Sequence, residues 1–125
     1  ELGVSLDGVV HAAGISSTVL LKSITMAKIK SHFNINTFGS LLFTKELLNR
    51  KVNLLGRGSS IVFISSVMEN HGTIGKTIYG MTKGAISAGV KSLSIELAIK
   101  NIRVNSVSPS VVETPLSKNS FYRSY

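Results

Sequence analysis

Cysteine is absent from the chain. Disulfides and thiolate metal sites are therefore excluded, and a reducing, cytoplasmic setting is compatible without being required. No apolar stretch is long enough to span a bilayer. The first residues, Glu1-Leu2-Gly3-Val4-Ser5, lack the basic-then-apolar pattern of a secretion signal. No set of His, Asp and Glu has metal-ligand spacing. Acidic residues are scarce: six stand against fourteen Lys and Arg, for a formal net charge of +8. Such an imbalance raises nucleic acid or an anionic membrane as a partner. Yet the positive residues are scattered, with no run of five or six and no interleaved aromatics. They read as solvated helix faces and loops, and neither partner is expected. A basic balance would also suit a phosphorylated cofactor or an acyl-carrier protein.

What is present is a chain of single-domain size, 125 residues, with 43% apolar and 16% charged residues. That mixture builds a globular core. Three β-type runs stand out, at Leu6–Ala12, Ser60–Ser65 and Ile102–Val107. The second is nearly all apolar, as in a strand buried on both faces of a parallel sheet. Two long helical stretches lie between them. The first runs from Thr25 to Asn49, and Gly56-Arg57-Gly58 punctuates the segment after it. The second runs from Tyr79 to Lys100, with Ile86, Val90, Leu93 and Leu97 at helical spacing and Asn101 closing it. The order is β-α-β-α-β, with connections long enough for right-handed crossovers. From Pro109 the chain turns irregular, and 117–125 reads as a loop.

The chemistry centres on Tyr79-Gly80-Met81-Thr82-Lys83. Tyrosine and lysine four apart share one helical face. An ammonium fixed beside a phenol favours the phenolate, so the tyrosine can exchange a proton with a substrate oxygen. Ser66, thirteen residues upstream, ends the second apolar run and can hold that oxygen. Taken singly, each signal is weak: a surface tyrosine beside a solvated lysine, and a serine in a turn. Ser65 competes with Ser66 and is read as structural.

Together with His11-Ala12-Ala13-Gly14, Asn36-Thr37-Phe38-Gly39 and Ser108-Pro109-Ser110-Val111-Val112-Glu113-Thr114, these residues carry a resemblance. From Leu6 to about Thr114 the chain resembles the central and later part of a short-chain dehydrogenase/reductase, of the 3-oxoacyl-acyl-carrier-protein reductase kind. The resemblance implies an α/β fold, part of a doubly wound, Rossmann-type parallel sheet with helices on both faces. It also implies NAD- or NADP-dependent interconversion of a ketone and a secondary alcohol. Tyr79 is then the general acid/base, Lys83 its electrostatic partner and a ligand of the nicotinamide ribose, and Ser66 the residue that orients the carbonyl. Asn36 holds a water in a proton relay. Ala13 and Gly14 match the family's Asn-Asn-Ala-Gly motif and let the backbone approach the dinucleotide. Pro109, Ser110, Val112 and Thr114 face the nicotinamide, with Ser110 in place of the family's glycine. A homodimer or homotetramer is expected, with Gly80, Gly84, Ala85, Ala88 and Gly89 either allowing close helix approach between subunits or packing on the sheet.

The family's Gly-x-x-x-Gly-x-Gly turn, which sets a pyrophosphate at a helix N-terminus, has no counterpart here. The expectation is a partial domain over 1–125, without the Gly-rich cofactor half and the C-terminal substrate segment, and not competent alone. A catalytically silent, fold-sharing scaffold or binding protein is the alternative. His11 is expected to be packed rather than catalytic, Met68 and His71 to border the substrate or a plain loop, and His32 to be an exposed helix residue.

Overall fold

The computed structural model describes residues 5–49 and 55–113. Within them, β1 (Leu6–His11), β2 (Leu55–Ile64) and β3 (Arg103–Val107) form a parallel sheet in the order β1-β2-β3. The register pairs Val9 with Ile61 and Ile61 with Val104, so one row of branched side chains crosses all three strands. β2 begins earlier than its apolar run suggested. Gly56-Arg57-Gly58 does not form a separate turn; the register shifts between Leu6 and Gly8, and an irregular stretch of β2 absorbs the extra residues there.

The first crossover is continuous helix: α1 (Met26–Phe33), a π-helical turn over Asn34–Phe38, and α2 (Gly39–Leu47). The side chain of Thr25 caps α1 by accepting from the amide of Lys28 at 3.3 Å. The second crossover is α3 (Thr77–Ala98). It ends as the sequence indicates, at Asn101, which takes a left-handed φ of 56°. The Asn101 amide bonds the carbonyl of Ala98 at 2.8 Å and the Ile102 amide that of Leu97 at 3.2 Å. This is the paired closure of a Schellman motif, with Leu97 and Ile102 both buried as its apolar contact.

Two right-handed crossovers that advance the same way across a sheet leave both connections on the same face. Accordingly Leu47 of α2, Ile61 and Phe63 of β2, Ile86, Val90 and Leu97 of α3, and Val104 of β3 form a single core cluster. Helices on both faces were expected; the described helices occupy one. On the other face Val10 is 63% exposed and Val107 50%. No described helix is long and apolar enough to cross a membrane.

Strand alternation turns His11 into the core side, where its ring lies 4.6 Å from that of Phe63 and edge-on to Phe43. Its Nε2 is 2.8 Å from the hydroxyl of Thr44, whose own proton goes to the carbonyl of Ser40. With that proton committed to Ser40, the Thr44 oxygen accepts from the Nε2–H of His11. His32, expected on the surface, is buried at 5% exposure. Its Nδ1 donates to the carbonyl of Lys28 and its Nε2 accepts from Ser17, two bonds that helical periodicity alone does not reveal.

Burial holds the His11 pKa below its ordinary value of 6.5. Between that lowered value and 6.5 the unfolded chain binds more protons than the folded one, so stability falls as pH drops through this window. His11→Phe keeps the ring packing and leaves Thr44 satisfied by Ser40. Thermal melts from neutral to mildly acidic pH should show the wild type losing stability faster than His11→Phe; parallel losses would discard this account.

Candidate active site

The sequence motifs converge at the carboxyl ends of the strands, where open α/β sheets bind their ligands. Ser66 lies just beyond β2, with extended backbone, and starts a 3₁₀ turn over Val67–Glu69. Its hydroxyl oxygen accepts from the amide of Met68 at 3.2 Å. No acceptor among the described residues takes its proton. Alternation along β2 sends Ser65 the other way, toward the helices. There its hydroxyl lies 2.6 Å from Glu69 Oε2 and 3.0 Å from the carbonyl of Lys83. Adjacent serines thus have opposite surroundings, and the structural assignment of Ser65 agrees with its placement.

Tyr79 and Lys83 sit one turn apart near the start of α3. The helix approaches the Ser66 turn closely at Gly80, where a Cβ would stand 3.1 Å from the carbonyl of Met68. A larger residue would push the tyrosine-bearing turn away from the serine-bearing one. Tyr79 is half-buried. Lys83 is 5% exposed, with its ammonium 5.7 Å from the Tyr79 ring centroid and 2.6 Å from the carbonyl of Ile64, the last residue of β2. The first distance is within range of a cation–π contact. Burial lowers the Lys83 pKa from its ordinary value, because the charged form is poorly solvated there.

Asn36 occupies the middle of the π-turn and is 1% exposed. The amide of Gly39 reaches back to the carbonyl of Asn34, and a Cβ on Gly39 would stand 3.1 Å from that oxygen. The wide turn thus favours glycine three residues after the asparagine. Asn36 Oδ1 accepts from the amide of Ile15 at 2.8 Å, while Nδ2 donates to the carbonyl of Ile15 at 2.9 Å and to Thr82 Oγ1 at 3.0 Å. Thr82 in turn donates to the carbonyl of Tyr79 at 2.7 Å. The segment after β1 is thereby tied to the turn of α3 that carries the tyrosine. The sequence reading passed over Ile15 and Thr82; threonine between Tyr79 and Lys83 was the one available signal for the latter.

Ala13 and Gly14 follow β1, and the alpha carbon of Gly14 faces both Asn36 and Lys83: a Cβ there would stand 3.5 Å from Asn36 Oδ1 and 3.8 Å from Lys83 Nζ. Pro109 is half-buried, and its carbonyl accepts from the amide of Val67 at 3.1 Å, which ties the end of β3 to the Ser66 turn. Ser110 and Val112 are exposed beyond it. Ser110 does not have a positive φ; among the described non-glycine residues only Asn101 does. Serine in place of glycine is therefore unstrained. Thr114 lies outside the described residues. Met68 is half-buried and His71 exposed, its Nδ1 3.2 Å from the carbonyl of Val67.

This donor set fits a nicotinamide dinucleotide. A lysine ammonium has donors beyond the one given to Ile64, and Ala13, Ser110 and Val112 are exposed residues at the same strand ends. No group of His, Cys, Asp and Glu among the described residues could hold a metal ion.

A family model described as enoyl-(acyl carrier protein) reductase matches residues 2–123. Carbonyl reductase family member 4 of Xenopus laevis is 36% identical over 115 residues, which cover 92% of this chain and 48% of that protein. A short chain dehydrogenase family protein from Francisella tularensis superimposes with a TM-score of 0.86 at 36% identity, over 94% of this chain and 47% of that one. The landomycin C-6 ketoreductase LanV, solved with bound NADP and rabelomycin, gives 0.78 at 25% identity, over 84% of this chain and 41% of that one. The chain spans about half the length of the relatives it matches.

Replacing Asn36 by Ala would leave the amide and carbonyl of Ile15 without their partner. The expected cost is about 1–3 kcal/mol, the usual desolvation penalty of stranded polar groups. Urea unfolding measures it; an unchanged midpoint would show that the clamp contributes nothing.

Proposed function

The chain belongs to the short-chain dehydrogenase/reductase family, and on that premise we propose that it carries the proton-transfer site of an NAD(P)-dependent ketone reductase or secondary-alcohol dehydrogenase. One observation supports the reading above the others. Lys83 is buried over the ring of Tyr79 and held by the carbonyl of Ile64, where a merely solvated lysine would extend into water.

A reduced nicotinamide, when bound, supplies the hydride that adds to the carbonyl carbon. Ala13, Gly14, Pro109, Ser110, Val112 and Thr114 would hold it, with Tyr79 and Lys83 at its ribose. Ser66 donates its uncommitted proton as a hydrogen bond to the carbonyl oxygen and fixes its direction. Tyr79 gives up its phenolic proton to that oxygen as the alcohol forms. The Lys83 ammonium stabilises the phenolate left behind, in a setting where burial strengthens every charge interaction. Asn36, its side chain committed to Ile15 and Thr82, would act on proton resupply only by holding the segment of Gly14 beside Lys83. In alcohol oxidation each proton moves in reverse.

The substrate class is a ketone or its alcohol. A 3-oxoacyl thioester is the first to test, since the matching family model concerns acyl-carrier-protein chemistry; sugars and small ketones follow. In the full-length protein, NADPH or NADH oxidation would be followed with acetoacetyl-coenzyme A, a ketose and acetophenone. Tyr79→Phe should abolish turnover, because the proton donor is gone, while cofactor affinity falls much less, because Lys83 keeps its contact with the ribose. Lys83→Met should impair both. In the wild type the alkaline limb of activity should fall below pH 10.5, where the lowered Lys83 pKa removes the ammonium; it should vanish in Lys83→Met. Retention of most activity by Tyr79→Phe would end this mechanism.

We also propose a homo-oligomer assembled through the helices. Met81, Ala85, Ala88, Ser92 and Ile95 along α3, and Ile99 just past its end, recur at helical spacing and are all exposed, opposite the buried stripe of the helix. Cβ atoms built on Gly84 and Gly89 would meet nothing within 4 Å, so these small residues do not serve sheet packing. A large exposed apolar stripe is the mark of an interface. Ile95→Glu should shift the mass in solution toward the monomer by light scattering; an unaltered mass would place the contact elsewhere.

A further inference from the structure

Behind the strand ends, on the helix side, one carboxylate gathers hydroxyls from three different elements. Glu69 closes the turn that Ser66 opens, and its amide bonds the carbonyl of Ser66 at 3.0 Å. Its Oε2 lies 2.6 Å from the hydroxyl of Ser65 at the end of β2 and also takes a bond from Ser87 of α3. Its Oε1 accepts from Ser108, just past β3, at 2.9 Å. Asn70 adds a longer contact of 3.4 Å to Oε1. No lysine or arginine among the described residues pairs with it, although the chain has fourteen.

A carboxylate only accepts, and each serine has a single proton to give. Glu69 thus gathers hydroxyls from the strand that precedes Ser66, from the helix of Tyr79 and Lys83, and from the segment of Pro109, while Ser65 also lies in reach of the Lys83 carbonyl and Ser87 in reach of Ser65. A cation would have satisfied the charge from one direction; hydroxyls from three elements satisfy it while fixing three positions. Charge-assisted hydrogen bonds are also the stronger kind.

We propose that Glu69 is a positioning residue for the reaction: it sets the turn of Ser66 against the helix of Tyr79 and Lys83, and so sets the direction from which Ser66 meets the substrate oxygen. This rests on the active-site reading above. Displacement by about 1 Å at such a site costs on the order of a hundredfold in rate.

The test uses the full-length protein, NADPH and whichever ketone of the panel turns over fastest, with active sites counted by NADPH binding. Glu69→Gln keeps the shape but offers one accepting oxygen and two unwanted donors. Its kcat should fall about 10- to 100-fold, with KM and NADPH affinity changed less than threefold. In a Ser66→Ala background the same substitution should lower kcat by less than about twofold, since non-additivity marks residues that act together. A merely structural role would lower the melting temperature and leave kcat per folded site intact, or would cost the same factor in both backgrounds; either result overturns the proposal. If Glu69→Gln does not fold, Ser108→Ala removes one of the three hydroxyls and should give a smaller kcat loss that also disappears with Ser66→Ala. Full activity in Ser66→Ala itself would remove the reading of Ser66, and this proposal with it.

Discussion

A single lysine ammonium, withdrawn from water, is the constraint on which the site depends. Burying that charge is unfavourable unless it is paired and hydrogen-bonded. The carbonyl of Ile64 offsets part of the cost at 2.6 Å, and the ring of Tyr79 presents its face to the same charge. Both partners are fixed by the fold: Ile64 ends the central strand, and Tyr79 lies one turn earlier on the same helix. Lys83 therefore locks the start of α3 to the end of β2. Burial that leaves the charged form poorly solvated also lowers the lysine's pKa from its ordinary value.

Strand and helix periods divide the labour around that lysine. The period of two along β2 sends Ser65 toward the helices and Ser66 away from them, so one serine joins the scaffold while its neighbour keeps a proton to donate. The π-turn has a comparable effect in the first crossover. An extra residue in the turn lets Asn36 clamp both backbone groups of Ile15 and still reach Thr82. These contacts join the ends of β1 and β2 to the same few residues of α3. A sheet that puts both crossovers on one face can build such a cluster, because α3 then borders the first crossover as well as the strands.

Much of the fold was legible locally. The near-continuous apolar run of β2, the helical recurrence of Ile86, Val90, Leu93 and Leu97, and Asn101 as a stop are properties of short windows, and the elements form where these signals lie. The early start of β2 was not legible, because two glycines that ordinarily mark a turn here sit inside an irregular strand. Nor was the burial of His32, which depends on Ser17 reaching it from the segment after β1.

The sequence by itself determined the order of elements and the reactive types at their ends: phenol, ammonium, hydroxyl and amide at fixed spacings. Only the tertiary structure decided which carbonyl holds Lys83, which of two adjacent serines is committed, that Glu69 binds hydroxyls rather than a cation, and that Ser110 is unstrained. Periodicity and capping act over a few residues and are written into neighbouring letters. The pairing of groups eighteen to forty-six positions apart depends on how strands register and helices pack, and no local window contains it.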